Sequence, residues 1–259
     1  MAKGLTKRPE TVPPPEPRSA VYAGRFALAY LLVIVAFGGM IGLFGYLVSR
    51  SDSNARWSAY EPTGTKPFDR AQSIANHVGN RYLHQGRPIA VIDAQPPIIQ
   101  NTVVDGIAVS RPASSGVGGG TNSLEPANDT VMYVFCGRAR GCGLPSSAAP
   151  NAEPLLRRES LELALYTFKY VKGVTSIVTL LPPQKGSIPA VYLRRTAFED
   201  QLSKPLKETL PPYRSVSAES VPPFEFSAVE GLTATSLFSA KFDRLPSGQA
   251  ILVLGTGSQ

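Results

Sequence analysis

The chain has 259 residues, 43% of them hydrophobic, and its 26 Lys and Arg against 19 Asp and Glu give a net charge of +7. The excess is uneven: the first 50 residues carry six basic and two acidic side chains, the remainder 20 and 17. The larger part is therefore nearly balanced, which argues against DNA or RNA as its partner, and it is long enough for one folded domain with its own core.

Residues 1–25 mix Pro9, Pro13, Pro14, Pro15 and Pro17 with charged side chains, the composition of a disordered, polyproline-like basic tail. Residues 26–48 then read FALAYLLVIVAFGGMIGLFGYLV, 23 residues without a charge, closed by Arg25 and Arg50. At 1.5 Å of rise per residue such a helix is roughly 34 Å long, enough to cross a hydrocarbon core of about 30 Å. The run is too long for the apolar region of a cleaved signal peptide, even with Ser53-Asn54-Ala55 as a small-residue site, so it predicts an uncleaved transmembrane anchor. Five basic residues precede the span, which places the N-terminus in the cytoplasm and the C-terminal domain outside the plasma membrane. Gly38 and Gly42 form a GxxxG pair that favours close helix pairing, with a second copy or with a protein partner.

Residues 49–68 read as a polar linker, with Trp57 and Tyr60 at the headgroup level. The extracytoplasmic domain is expected over 69–259. Its first helix, 69–84, carries an apolar stripe of Ala71, Ile74, Ala75, Val78 and Tyr82. Its flank holds His77 and His84, two turns or about 10 Å apart and so unable to share one metal ion. Residues 87–93 are strand-like. Residues 98–104 and 107–111 suggest a hairpin about Asp105-Gly106, followed by a flexible loop over 110–128 with GVGGG at its centre. Asn128-Asp129-Thr130 matches a glycosylation sequon, meaningful only in a eukaryotic secretory chain.

A buried strand is expected over 130–135, a core helix over 152–172 stopped by Gly173, and strands over 174–181 and 190–194. Thr196-Ala-Phe-Glu199 has the form of a capping box before a short helix that Pro205 interrupts. A segment near 225–230 and a hairpin of 237–244 with 249–254 close the chain. This order lacks a strict βαβ rhythm. It predicts an α+β domain, with mixed α/β as the alternative, whose helices pack on one face of a largely antiparallel sheet.

Chemistry is sparse. The chain has no GxSxG, HExxH, CxxC or EF-hand loop, and nothing in it implies a cofactor or a metal ligand set. A Ser-His-Asp arrangement would have to draw on His77 or His84 with an acid such as Asp93. The most specific local feature is Cys136-Gly-Arg-Ala-Arg-Gly-Cys142. In an exported domain the two cysteines pair, and a ring this small stabilises by about 2 kcal/mol on the chain-entropy model. It would hold out Arg138 and Arg140, either as solvated arginines on a stapled turn or as a cationic loop for an acidic partner. A thiol-exchange site is a third reading. Arg157 and Arg158 fall early in the expected helix, where they suit either an anion site or local pairing with Glu153, Glu159 and Glu162. The resulting expectation is an anchored protein whose exported domain binds or scaffolds envelope components; an anchored enzyme or an anion- or ligand-binding domain is the alternative.

Overall fold

The structure, a computed structural model, describes residues 56–99, 101–111, 121–145, 149–184 and 186–255. The tail, the apolar run 26–48 and its Gly38 and Gly42 lie outside the described residues. No helix among those described is long and apolar enough to cross a membrane.

One mixed sheet of eight strands organises the domain. In spatial order it runs β3 (Ala90–Gln95), β8 (Thr130–Gly137), β9 (Ser176–Leu180), β10 (Ile188–Arg194), β11 (Leu237–Arg244), β12 (Ala250–Gly255), β6 (Gly106–Arg111) and β7 (Thr121–Pro126). Two neighbouring pairs, β8 with β9 and β12 with β6, are parallel; the rest are antiparallel. Two short ribbons stand apart, β1 (Leu83–His84) with β2 (Arg87–Pro88) and β4 (Ile98–Ile99) with β5 (Thr102–Val103). Helices α1 (Pro67–Gly79), α2 (Ala149–Tyr170) and α5 (Pro223–Thr233) join the core on one face. Two short helices, α3 (Glu199–Ser203) and α4 (Leu206–Thr209), flank Pro205. Thr196 does not cap α3, which follows directly from a 3-10 turn over Arg195–Phe198. The fold is thus mixed α+β, with a large mixed sheet and few helices.

α2 forms the crossover between the parallel strands β8 and β9, as any such connection must. Residues 155–168 are buried throughout, because sheet, α1 and α5 enclose the helix from several sides. A second core occupies the opposite face of the sheet, from Ile107, Val109, Met132, Val178, Tyr192, Phe238, Leu252 and Leu254. None of the described helices contributes to it; the sheet curls over it. The proof is a hydrogen bond of 2.5 Å from the Tyr192 hydroxyl on β10 to Glu125 Oε2 on β7, four strands away. In a flat sheet that separation is about 19 Å at roughly 4.8 Å per strand.

Three expectations shift. α1 ends at Gly79 rather than near residue 84, so Tyr82 and His84 leave the helix, and the two histidines stand on different elements. Asp105-Gly106 is not a hairpin turn: Asp105 exchanges backbone and side-chain bonds with Ala250 and starts β6 beside β12. A Cβ on Gly106 would lie 2.9 Å from Leu124 Cδ1, so the exposed leucine packs close over the glycine. Within the expected loop, residues 121–126 form β7 on the edge of the sheet.

Trp57 does not stand out for the headgroups; it is buried. Its ring packs edge-on against Tyr166 and Tyr170, its carbonyl accepts Leu206 N–H, and Tyr60 stacks on His77 at 3.6 Å. The folded unit therefore begins at Arg56, within the stretch read as linker. At the other end of the sheet, Gln72 on α1 lies against the free border of β3. Its amide donates to Ile92 O and its carbonyl accepts Ala94 N–H, as a neighbouring strand would.

Candidate functional site

Two places gather charge. The first is inside. Arg158, 1% exposed, donates from Nε to Glu225 Oε1 at 2.7 Å, from Nη1 to Tyr82 and Glu162, and from Nη2 to Pro211 O. Glu162 also accepts from the Tyr82 hydroxyl and from Arg81, and Tyr213 donates to Glu225 Oε2 at 2.6 Å. Burial works against the Arg158 charge, but facing Tyr82, Glu162 and Glu225 outweigh it and hold the guanidinium firmly protonated. Burial beside Glu162 pushes the Tyr82 hydroxyl well up, so it donates rather than ionises.

This set ties α2 to α5 and to Arg81 and Tyr82, which follow the end of α1, and among its buried side-chain atoms Arg81 Nε alone lacks a hydrogen-bond partner. It is a clamp between helices. Two guanidinium groups balance two carboxylates, and Glu159 is left over. Glu159 is fully buried, neither of its carboxyl oxygens has a hydrogen-bond partner, and burial with Glu162 nearby raises its pKa well above the usual range.

Arg157 points elsewhere, to Thr233 Oγ1 at 3.0 Å, Glu230 O and the exposed Glu153. Because α2 begins at Ala149, both arginines sit more than two turns inside it rather than in its first turn. Arg157 and Arg158 are paired by neighbours along and across the helices.

The second place is outside. Cys136 and Cys142 form a disulfide across a six-residue separation. The ring they close is tight. Gly141 and Cys142 are both left-handed, at φ +64° and +62°, and a Cβ on Gly137 would lie 2.2 Å from Gly143 O. Opposite stands the β1–β2 ribbon, whose turn residues Gln85 and Gly86 have φ of +51° and +75°, the double left-handed signature of a type I′ turn. Between the two lies an open hollow of about 470 Å³, lined by His84, Arg87, Pro88, Ile89, Arg138 and Pro145 along with Gln85. His84 and Arg87 face each other directly across the ribbon. Arg138 Nε donates to Pro88 O at 3.0 Å and ties the ring to the ribbon. Arg140 is exposed on the same ring.

His77 is half-buried against Tyr60, and burial with Arg81 nearby lowers its pKa to about 4. It is neutral at physiological pH. Asp93 is exposed on β3. Among the described residues no three His, Cys, Asp or Glu side chains gather as a metal site would need. The hollow escaped the sequence reading because it is assembled from segments 50 residues apart. Gln-Gly is a weaker turn signal than Asn-Gly or Asp-Gly, and an α-helical stripe running through Tyr82 concealed the ribbon. Comparison with known protein families, curated proteins and solved structures finds no significant match.

Proposed function

We propose that the chain is a single-pass membrane protein, anchored by residues 26–48, whose exported domain binds a cell-envelope component. The binding face is the hollow between the β1–β2 turn and the Cys136–Cys142 ring. One observation carries this reading: a disulfide closes the very loop that presents Arg138 and Arg140, and such bonds persist in oxidising compartments outside the cytoplasm. Arg138, anchored through Nε, keeps its two Nη groups for a ligand. Pairing through Gly38 and Gly42 would present the face in duplicate.

The test uses the full chain in its native membrane. Protease added outside sealed cells degrades the domain, and a photo-crosslinking residue at position 140 captures a discrete envelope partner. A domain that survives external protease and is cut only after lysis refutes the topology. A position-140 probe that captures nothing refutes the binding face.

A further inference from the structure

We infer that the hollow beside the disulfide ring binds a phosphate group carried on a small organic ester. This rests on the reading of that face as the binding surface and adds the ligand's chemistry. Three features carry it.

First, the donors come from opposite walls. Arg87 stands on the ribbon and Arg138 on the ring, so the two guanidinium groups approach a ligand from different segments. A carboxylate is planar and one guanidinium fork satisfies it; a tetrahedral phosphate offers oxygens to both walls at once. Second, the walls hold their spacing without a ligand. Left-handed residues fix both turns, the disulfide closes one, and the Arg138–Pro88 bond bridges them. Preorganised donors lose little freedom on binding. Third, no acidic residue is among those lining the hollow, while Pro88, Ile89 and Pro145 supply an apolar wall. The volume is several times that of a bare phosphate and lies within the range of small-ligand sites, which leaves room for an organic group against that wall.

The experiment titrates the full chain, in nanodiscs of phosphatidylcholine, with glycerol 3-phosphate by calorimetry. Saturable binding is expected, weakened about tenfold or more by Arg87→Gln and by Arg138→Gln, since each removes a charge-assisted donor. Lys241→Gln, far along β11 and paired with Asp243, should leave it unchanged. Both arginines are exposed, and unchanged Trp57 fluorescence verifies that the variants fold. Acetate in place of the ester should bind at least tenfold more weakly. Repeating the titration in phosphatidylglycerol nanodiscs identifies the source: competition by the lipid assigns the site to headgroups, and its absence assigns it to soluble esters.

No binding, binding equal to acetate, or binding indifferent to both arginine variants overturns the inference. If glycerol 3-phosphate fails while the position-140 probe still captures a partner, the phosphate assignment falls and the binding face stands.

Discussion

Replacing Glu159 with leucine is expected to stabilise the domain, the reverse of what an ionisable residue removed from a packed helix usually does. Arg81 and Arg158 are matched by Glu162 and Glu225, and Glu159 stands fully buried beside them with both carboxyl oxygens unpartnered. A buried polar group without a partner destabilises by about 1–3 kcal/mol. Leucine removes that penalty at similar size, which for a domain of this length raises Tm by roughly 2–12 °C. The pH dependence supplies the sign. Because burial raises the folded carboxyl's pKa above the ordinary value of 4.5, the folded state keeps a proton the unfolded chain has released. Stability therefore falls as pH rises from the ordinary value towards the raised one. Glu159→Gln should flatten this slope yet keep most of the desolvation penalty, and Glu159→Leu should remove both. The assay is urea unfolding of wild type and the leucine variant at pH 5, 6, 7 and 8, followed by the fluorescence of Trp57, the sole tryptophan. A leucine variant less stable than wild type at every pH, or a gain from leucine that does not grow as pH rises from 5, would refute the reasoning.

Below pH 6.5 a second slope should appear with the opposite sign. The neutral, half-buried His77 has its pKa lowered to about 4, so stability is lost as pH falls from 6.5 towards 4, and His77→Phe should reduce that loss in the same urea titration. Arg158→Met strands Glu225 in the interior, while Glu162 keeps Arg81, and should cost about 3–5 kcal/mol, visible as a lowered denaturation midpoint. Adding Glu225→Leu, which removes the stranded carboxylate, should recover much of it. Replacing both cysteines with serine should lower stability by about 2 kcal/mol without unfolding the domain, and should weaken capture by the position-140 probe.

Local pattern made a good part of this fold legible. The apolar stripe Ala71, Ile74, Ala75 and Val78 marked α1, and the β11–β12 hairpin stood out from its turn and flanking strands. The pairing of Arg158 with Glu162 four residues on was readable from helix geometry alone. Pairing between distant segments was not. Nothing local in residues 106–111 says that they run parallel to 250–255, and that choice turned an apparent Asp-Gly hairpin into the start of an inner strand. Glu225 was hidden for the same reason. Its partner lies 67 residues away, and only the docking of α5 on α2 makes a glutamate in an apolar segment a buried counter-ion. The disulfide was legible because six residues suffice to define it.

The amide of Gln72, laid along β3, gives the sheet two unlike borders. On that side Ile92 O and Ala94 N–H are already satisfied, so a visiting chain loses two ladder bonds at the centre of the strand despite the exposed Val91. Lateral growth by strand addition is therefore steered to the β7 border, where Leu124 is exposed.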